Sequence, residues 1–483
     1  MNLPSAFAEQ TASVIGKDEY KKLEEALQQE SPVSLRLNSG ELRVENGELR
    51  IESERCATIN SQLSTLNSPL NKVAWCESGY YLDERLTFTF DPLFHAGCYY
   101  VQEASSMFVE QVLRKYVAEP VTMLDLCAAP GGKSTHARAV LPEGSLLVAN
   151  EVIRNRSQIL AENLIKWGHP AVVVTNNDPA DFEPLGAFFD VILTDVPCSG
   201  EGMFRKDAVA VEEWSVDNVN ICWQRQRRII ADIWGNLKPG GILIYSTCTY
   251  NIKENEENIE WIIGEYGAEP LPVDTLPQWN ITGNLQGKDI PVYHFFPHKT
   301  KGEGFFLAVL RKPEDAPAEY LSPAKSKKKQ DKPLPVPKEA QQWLLHPDDY
   351  SIEVKGTGVV AFPKSHNEEL SALRKTLKVL HAGITLGEIK GKDLIPDHSL
   401  AMSSALNPSA FPAVEIPYEQ AIAYLRKEAI TLSAEAPRGY VLLTYKNVPL
   451  GFVKNIGNRA NNLYPNEWRI RSGYLPEEVK VLF

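Results

Sequence analysis

Short apolar runs alternate with segments of helical character between about residues 120 and 310. The runs are rich in Val, Ile and Leu, which is typical of strands that a sheet buries on both faces. Because parallel strands are joined by crossover helices, the alternation predicts an α/β doubly wound sheet. In chain order, the runs are VTMLDL, LLVANE, AVVVTN, FDVILTD, GILIYST and FFLAVL.

The segment before this region has a mixed pattern. Residues 3–29 space Leu, Phe and Ala among polar positions, which predicts helix. SPVSLRLN at 31–38 predicts a strand. The near repeat of ELRVENG and ELRIESE at 41–54 predicts a surface hairpin, since two copies are too few for a solenoid. We therefore expect a small α+β domain at 1–115 and a catalytic domain at 116–312.

A change of composition marks the end of the α/β region. The stretch PEDAPAEYLSPAKSKKKQDKPLPVPK is rich in Pro and Lys and has too few apolar residues to bury a core. We predict a linker at 313–339, with its lysine run solvated. The remaining residues, 340–483, suffice for one compact module or two small ones. A chain of 483 residues exceeds what one hydrophobic core usually serves.

Composition and charge narrow the class of protein. Hydrophobic residues make up 43% and charged residues 23%, as in an ordinary globular protein. No apolar run approaches the roughly 18 residues of a membrane helix. The start, MNLPSAFAEQ, is neither basic nor apolar, so we expect no signal peptide, no membrane association and a cytoplasmic location. The net charge of −12 argues against non-specific coating of nucleic acid, although a local basic face is compatible with it.

Cysteine usage points to catalysis rather than to cross-links. The seven cysteines are odd in number, scattered and never spaced as CxxC, so we expect neither a disulfide framework nor a zinc site. His95, His294 and His298 also lack metal-ligand spacing, and we predict structural roles for them and no bound metal. The cysteines lie at positions 56, 76, 98, 127, 198, 222 and 248.

A glycine-rich turn, LDLCAAPGGKST at 124–135, follows the first predicted strand. Such a turn lets backbone amides approach a ligand and directs a helix N-terminus at it. A phosphate-binding P-loop would need a glycine where Cys127 stands. Glu151 closes the second strand, where an acid can accept hydrogen bonds from ribose hydroxyls, and Asp178 follows the third, at the expected adenine position. The pattern favours an adenosyl ligand, with helix capping as the alternative role of both acids.

Two cysteines follow neighbouring strands of the predicted sheet. Cys198 lies in DVPCSGEGMFRKD (195–207) after the fourth strand, and Cys248 lies in YSTCTYNIKENEEN (245–258) after the fifth. Open α/β sheets bind ligands at the C-terminal ends of such strands, so we expect both side chains to face one crevice. A single cysteine is more often a buried structural residue, but two in polar turns at matching strand ends favour catalysis.

Methylation of a pyrimidine at carbon 5 needs groups of this kind. Carbon 5 is a weak nucleophile until a thiolate adds to carbon 6, and a second group must assist when the carbon 5 proton and the thiolate leave. Enzymes that methylate exocyclic amino groups carry an Asp/Asn-Pro-Pro-aromatic turn, whereas the turn here reads DVPC at 195–198. A zinc deaminase would need a cysteine where Glu201 stands.

At these residues the chain resembles the Sun-type RNA cytosine-5 methyltransferases, and among them the RsmF-like group that modifies 16S ribosomal RNA. The similarity spans the presumed catalytic domain, and the combination of PCSGEG with STCTYN is highly specific. NIGNRANNLYPNEWRIR at 455–471 resembles the PUA-like RNA-binding tail of that group. The matching pieces are QEASSM (102–107), LDLCAAPGGK, NE (150–151) with Arg156, ND (177–178), DVPCSGEGMFRKD, YSTCTYNIKENE and GEGFFLAVL (302–310).

The resemblance implies a Rossmann-like class I methyltransferase domain, a C-terminal PUA-like module and S-adenosylmethionine as cofactor. It gives the role of nucleophile to Cys248 and that of assisting release to Cys198, an order that strand-end position alone leaves open. It also implies that Asp195 binds the edge of the target cytosine and that Lys133 orients Asp195. The implied cofactor contacts are Cys127, Ala128, Ala129, Pro130, Gly131, Gly132, Lys133, Glu151, Arg156, Asp178 and Asp195.

The implied partner is 16S rRNA, within the small ribosomal subunit or its precursor, and we expect a monomer. Two other functions stay open. A tRNA cytosine-5 methyltransferase would share the catalytic residues, but the RsmF-like tail argues against it. A non-catalytic RNA-binding factor of ribosome assembly would share the fold, but the intact Cys198 and Cys248 argue against it.

Several basic and aromatic side chains are further candidates for RNA contact. Arg205 and Lys206 follow the Cys198 loop directly, so we expect them to contact RNA. The arginines of CWQRQRRII (222–230) fall on a helix, where a solvated or structural face is favoured over a phosphate-binding one. The aromatic and cationic residues of YPNEWRIR (464–471) suit looped RNA, with core packing of the aromatics as the alternative.

Overall fold

The structure is a computed structural model and describes residues 2–38, 42–45, 48–51, 71–320, 334–473 and 479–482. The chain begins with helices α1 (Ser5–Ile15) and α2 (Lys17–Leu27), which confirms the helix predicted for this stretch. Gly16 separates them with φ +86°, a left-handed conformation that a side chain disfavours. The apolar face of the two helices packs on Phe204, shortly after the Cys198 loop.

An antiparallel sheet completes the N-terminal part. Its region contains β1 (Val33–Leu37), β2 (Leu42–Glu45), β3 (Glu48–Ile51), β4 (Asn71–Lys72), β5 (Gly79–Leu82), β6 (Tyr99–Tyr100), α3 (Pro92–His95) and α4 (Val109–Tyr116). The sheet has the order β4-β5-β1-β6, so the strand predicted at 31–38 is confirmed. Strands β2 and β3 pair as the predicted hairpin, and residues 41, 46, 47 and 52–54 of the repeat lie outside the described residues.

The central region supplies most of the largest sheet. Its strands are β7 (Thr122–Asp125), β8 (Leu146–Asn150), β9 (Val172–Thr175), β10 (Phe189–Asp195), β11 (Leu237–Thr247), β12 (Glu269–Pro270), β13 (Val292–Phe295) and β14 (Phe305–Arg311). Its helices are α5 (Gly132–Val140), α6 (Arg154–Trp167), α7 (Ala208–Glu213), α8 (Val216–Trp234) and α9 (Glu256–Tyr266). Each of the six predicted apolar runs forms a strand. Burial on both faces explains their composition: Met123 packs in one core layer and Leu124 in the other.

The C-terminal region adds two further sheets. Its elements are α10 (Lys338–Gln342), β15 (Tyr350–Lys355), β16 (Gly358–Pro363), α11 (Asn367–Thr376), β17 (Val379–Ala382), β18 (Ile384–Lys390), β19 (Asp393–Pro396), α12 (His398–Met402), β20 (Ala413–Glu415), α13 (Tyr418–Leu425), β21 (Gly439–Tyr445), β22 (Val448–Asn455) and β23 (Ala460–Asn462). One sheet has the order β15-β16-β18-β19 and the other β20-β21-β22-β23. Within the described residues, no helix combines the length and apolar character needed to cross a membrane.

The largest sheet is mixed rather than purely parallel. Its order is β12-β14-β11-β10-β7-β8-β9-β17, with β13 paired to β14. Strands β7 to β11 are parallel, as predicted. The FFLAVL run, β14, lies antiparallel to β11, so the parallel arrangement expected for it is wrong. A buried run has the same apolar pattern in either direction, and periodicity therefore carries no information on strand direction.

The C-terminal region packs on both earlier parts of the chain. Strand β17 pairs antiparallel with β9 and so extends the largest sheet, an addition that the sequence did not predict. A second contact is a core shared by Leu35 and Tyr99 of the N-terminal part with Tyr424 and Tyr464. Because Tyr464 is fully buried there, core packing rather than RNA contact is its role. Trp468 packs against the same core.

Candidate active site

The loop between β7 and α5 brings backbone amides to the C-terminal end of the sheet. Gly131 has φ +115°, so a side chain at this position would strain the turn. The amide of Ala128 donates to the carbonyl of Asn150 at 2.8 Å, which ties the loop to the end of β8. The first amides of α5 are directed at the space above the strands, where the helix dipole favours acceptor groups of a ligand.

Asp125, the last residue of β7, was not singled out from the sequence. Its carboxylate accepts a hydrogen bond from the Ser134 hydroxyl at 2.6 Å through Oδ2. Its other oxygen, Oδ1, is buried and has no hydrogen-bond partner among the described residues. Burial raises the pKa of Asp125 to about 7. An unsatisfied buried oxygen beside the glycine loop fits a ligand that brings a hydrogen-bond donor.

Glu151 lies just past β8 and is held in place. Its Oε1 accepts from the backbone amide of Ile153 at 2.9 Å, and its Oε2 lies 3.4 Å from an Arg156 nitrogen. Arg156 also donates to the carbonyl of Ala129 at 2.8 Å, so it connects the acid to the glycine loop. Val152 and Ile153, next in sequence, are exposed, at 54% and 51%.

Asp178 has a capping role in the structure. Its carboxylate accepts from the amide of Ala180 and, together with Asp181, forms a capping box on the 3-10 helix Pro179–Leu185. Arg228 of α8 donates to both of its oxygens, at 2.7 and 2.6 Å. Asp178 therefore caps a helix, while its contact with a cofactor stays a prediction; any ligand would share this carboxylate with Arg228.

The arginines of α8 differ in their surroundings. Besides the Arg228 pair, the Arg227 guanidinium donates to Asn258 at 3.1 Å and lies 4.2 Å from the centre of the Trp223 ring. These contacts bear out the structural interpretation for both residues. Arg225 is exposed.

Cys198 and Cys248 face one crevice, as predicted. Strands β10 and β11 are parallel neighbours, with Asp195 in register with Ser246, so the segments that follow them emerge side by side. The two sulfur atoms lie 2.9 Å apart, and the amide of Cys248 donates to the Cys198 sulfur at 3.3 Å. The hydrogen bond to Cys248, together with burial, raises the pKa of Cys198.

Asp195 and Lys133 form an ion pair between the cysteines and the glycine loop. Lys133 Nζ donates to Asp195 Oδ2 at 2.8 Å, and the Ser246 hydroxyl donates to Oδ1 at 2.8 Å. Burial opposes the charged ammonium, but the Asp195 carboxylate outweighs it and raises the pKa of Lys133. The geometry agrees with the expectation that Lys133 orients Asp195.

Two buried acids accept hydrogen bonds from the loops that contain the cysteines. Glu254 accepts from the amide of Ser199 at 3.0 Å and from the side chains of Gln226 and Asn251 at 2.7 and 2.8 Å. Glu201 accepts from the amide of Tyr250 at 2.7 Å. Burial raises the pKa of Glu254 to about 7. Both acids lie in the two cysteine-containing motifs, but the sequence alone does not show that their side chains are buried.

The expectation of RNA contact is wrong for Arg205. Its side chain is only 5% exposed, since its Nε donates to Glu303 at 2.6 Å and its Nη1 donates to the carbonyl of Ala26 at 3.3 Å. The guanidinium thereby joins α2 to the loop before β14. Lys206 remains partly exposed, with its Nζ 3.8 Å from the same Glu303 carboxylate.

The three histidines have structural partners, as expected. His294 lies 2.8 Å from a Glu256 oxygen and His298 lies 3.1 Å from a Glu19 oxygen. His95 is hydrogen-bonded to the carbonyl of Thr89 at 2.9 Å.

One group of metal-ligand type occurs among the described residues. The Cys76 sulfur, a Glu110 oxygen and a His136 nitrogen lie within 4.8 Å of one another and are buried. His136 is hydrogen-bonded to Glu110 at 2.9 Å, and Arg114 pairs with the same carboxylate at 2.8 Å. Burial lowers the pKa of His136 to about 4, so its ring is neutral. The three side chains satisfy one another and connect α4 to α5.

The fold is that of a Rossmann-like methyltransferase. A solved methyltransferase homologue from Pyrococcus horikoshii is 27% identical with a TM-score of 0.53, over 64% of this chain and 95% of that one. NSun6 from the same organism shares the fold with 20% identity and a TM-score of 0.51, over 65% of this chain and 99% of that one.

Three family models match along the chain. They are the N-terminal domain of 16S rRNA methyltransferase RsmF at 3–104, 16S rRNA methyltransferase RsmB/F at 113–311 and the methyltransferase RsmF PUA domain at 411–470. Curated relatives named ribosomal RNA small subunit methyltransferase F include those of Klebsiella pneumoniae, 30% identical, and Cronobacter sakazakii, 31% identical; each alignment covers 84% of this chain and 86% of the relative. The chain belongs to the RsmB/F family of 16S rRNA methyltransferases, which confirms the resemblance and the predicted fold class.

Proposed function

We propose that this chain methylates carbon 5 of a cytosine in 16S rRNA, with Cys248 as nucleophile and Cys198 assisting release. The observation that carries the proposal is the 2.9 Å contact between the two sulfur atoms at the ends of adjacent strands. The ion pair of Lys133 and Asp195 lies beside them, next to the glycine loop. No structural role requires two thiols and an ion pair at that edge of the sheet, whereas carbon 5 chemistry uses all of them.

S-adenosylmethionine, when bound, supplies a methyl group carried on a sulfonium. The residues that would hold it are the backbone of 127–133, with Glu151 on the ribose hydroxyls, Val152 on the adenine face and Asp178 at the adenine edge. Asp125 fits this ligand because its buried Oδ1 lacks a donor, which an ammonium group provides. Arg156 keeps Glu151 and the glycine loop in one arrangement.

The first step is attack by Cys248. Its thiolate forms a bond to carbon 6 of the cytosine, and the electron pair of the carbon 5–carbon 6 double bond moves to carbon 5, which becomes nucleophilic. Asp195 accepts a hydrogen bond from the amino group at the cytosine edge. Lys133 and Ser246 each hold one oxygen of that carboxylate, so the ring is oriented before attack.

Release uses the second cysteine. Once Cys248 is bonded to carbon 6, the Cys198 thiol has lost its charged acceptor, and its proton leaves to solvent. The Cys198 thiolate then takes the proton from the methylated carbon 5. The electrons of that bond re-form the ring double bond and expel Cys248 as thiolate. The hydrogen bond from Cys198 to Cys248 is restored, and one proton has been released per methyl group transferred.

RNA recognition is supported by the family matches. The PUA match at 411–470 and the relatives named small subunit methyltransferase F favour 16S rRNA over tRNA. The paired cysteines favour an enzyme over a non-catalytic assembly factor. We further propose a monomeric, cytoplasmic enzyme with domains at 1–115, 116–312 and 340–483 and a linker at 313–339, part of which lies outside the described residues.

The direct test is capture of the covalent adduct. Cys198→Ala protein is incubated with 16S rRNA and S-adenosylmethionine, and the mixture is run on a denaturing gel. A covalent protein–RNA adduct of low electrophoretic mobility should accumulate. The species should be absent with Cys248→Ala and with the double variant. Cys222→Ala, which removes a buried thiol of α8, is the matched control and should behave as wild type. Adduct that survives the loss of Cys248 overturns the assignment of roles.

A second readout identifies the product and the RNA. Nucleoside mass spectrometry of RNA methylated by the wild type should show 5-methylcytosine. Methyl transfer to an amino group would contradict the proposed chemistry. Preferential methylation of tRNA over 16S rRNA would favour the alternative substrate.

A further inference from the structure

A cavity of about 360 Å³ lies in the C-terminal region, outside the crevice described above. It is formed where the end of β15, α11 and β17 meet, and none of the three matched family stretches includes it. We call it the basic pocket. Its lining residues are Lys355, Val360, Arg374, Leu377, Lys378, Val379, Leu380, His381, Ala382 and Thr385.

The charge around the basic pocket is positive. Lys355 and Arg374 share one carboxylate oxygen of Glu353, at 3.2 and 2.6 Å. Lys378 Nζ donates at 3.0 Å to the neutral side-chain oxygen of Asn176. The lining residues therefore supply three cations, and Glu353 neutralises one charge. In a chain with a net charge of −12, a concave site with a local charge of about +2 selects for anions.

Most of the remaining lining residues are apolar. Leu377, Val379 and Ala382 provide surface between the cations. Burial lowers the pKa of His381 to about 4, so this ring is neutral and adds a flat face rather than a charge. An apolar cavity with cations at its edge fits the two parts of a nucleotide, because the base and sugar need apolar or flat surface and the phosphate needs positive charge.

The basic pocket lies on the same sheet as the two cysteines, a few strands away from them. Strand β17 continues the sheet past β9, with Val379 in register with Thr175 at the C-terminal end of β9. The Asn176 amide donates to the Lys378 carbonyl at 3.1 Å, and the Lys378 amide donates to the side-chain oxygen of Asn177 at 3.0 Å, directly before Asp178. From β10 to β17 the sheet order counts four strand steps, or roughly 19 Å. A stacked strand rising about 3.4 Å per nucleotide covers that distance in five or six nucleotides.

We infer that the basic pocket binds a nucleotide of the RNA substrate at a distance from the target cytosine. Lys355 and Arg374 contact its phosphate, and Lys378 contacts the neighbouring phosphate toward the crevice. Because β17 also touches the segment before Asp178, binding in the pocket fixes the RNA relative to the sheet that carries Cys198 and Cys248. The inference rests on the proposed function, in that the ligand is the same RNA.

The test is the salt dependence of RNA binding by Lys355→Gln/Lys378→Gln protein. This double variant leaves the pair of Arg374 and Glu353 intact. The matched control is Lys238→Gln/Lys288→Gln, which removes the same charge from two exposed ion pairs of the catalytic region. Binding of a 16S rRNA fragment is followed over a range of salt concentrations, and S-adenosylmethionine binding is measured in parallel.

We expect the pocket variant to bind RNA about tenfold more weakly. Its slope of log affinity against log salt should be smaller by about 0.7 to 1.4, since each phosphate contact to a single strand contributes about 0.7 and Arg374 still contacts the phosphate that loses Lys355. The control variant should keep the wild-type slope, and cofactor affinity should stay within twofold in all three proteins. An unchanged slope in the pocket variant, with the wild type binding RNA normally, overturns the inference but leaves the proposed function intact.

Two further measurements distinguish failure of the proposed function from binding of a small ligand. If the wild type neither binds nor methylates rRNA, the proposed function fails, and the pocket inference fails with it. Free adenosine monophosphate and inorganic phosphate are tested as competitors to distinguish RNA from a small ligand. Tight binding of either one, lost in the pocket variant, would identify the pocket as a small-molecule site and overturn the assignment to RNA.

Discussion

The sulfur atoms of Cys198 and Cys248 lie 2.9 Å apart, within hydrogen-bonding distance of each other. A disulfide needs the two atoms at about 2.05 Å, so only a small movement separates the thiol pair from a cross-link. Treatment with diamide should oxidise the two thiols, with loss of two electrons and two protons that convert diamide to its hydrazine. Methyltransferase activity should then be lost, and dithiothreitol should restore it.

Thiol titration under denaturing conditions checks this expectation. The wild type should lose two titratable thiols on treatment, and Cys248→Ala should not lose that pair. Inactivation without a loss of two thiols would show that the cysteines do not cross-link.

The ion pair of Lys133 and Asp195 predicts a graded effect on catalysis. Lys133→Gln removes a charged donor from a half-buried carboxylate, a change that costs about 1.5–3 kcal/mol. We expect kcat/KM to fall roughly 10- to 100-fold. Lys133→Arg keeps the charge and should recover part of the loss. Steady-state methylation assays measure both variants, and equal activity of Gln and Arg proteins would rule out a role for the charge.

Asp125 predicts a dependence of stability on pH. Burial raises its pKa to about 7 from an ordinary 3.8, so the folded state holds the proton more tightly than the unfolded chain does. The stability from this group is complete below pH 3.8 and is lost as the pH rises through about 7. Asn at this position does not titrate. The free energy of unfolding of Asp125→Asn, relative to wild type, should therefore increase between pH 5 and pH 8.

Urea unfolding at several pH values provides the measurement. Glu254, whose pKa is also raised to about 7, is present in both proteins and cancels in the comparison. A difference between the two proteins that stays constant with pH would contradict the assigned pKa of Asp125.

The buried pair of Arg205 and Glu303 predicts a loss of stability. Arg205→Ala leaves the Glu303 carboxylate buried without its main partner, which should cost about 3 kcal/mol of unfolding free energy. Lys206→Ala, next in sequence and partly exposed, should change stability by less than about 0.5 kcal/mol. Chemical denaturation distinguishes the two variants. A stable Arg205→Ala protein with weakened RNA binding would instead restore the role expected from the sequence.

Much of the fold could be predicted because strand burial and helix periodicity are local properties. Each of the six apolar runs of the α/β region forms a strand, and the order of Cys198 and Cys248 after β10 and β11 places both in one crevice. The direction of β14 could not be predicted, because a buried strand has the same apolar pattern whether it is parallel or antiparallel to its neighbour. Strand β17 was missed since the edge of the sheet is completed by a segment far along the chain.

Some features of the candidate site could likewise be predicted from the sequence, and others could not. The chemistry proposed for the site follows from residues that the sequence alone makes visible: the glycine turn, Glu151 and the two cysteines are motif residues whose spacing predicts an adenosyl site and a thiol pair. Which charged residues face solvent became clear from the three-dimensional structure. The sequence gives no reason to distinguish Arg205 from Arg228, since both are arginines near the site. In the structure, Arg205 is buried against Glu303, whereas Arg228 is exposed and paired with Asp178. Burial and pairing depend on contacts between distant segments, and local sequence does not encode them.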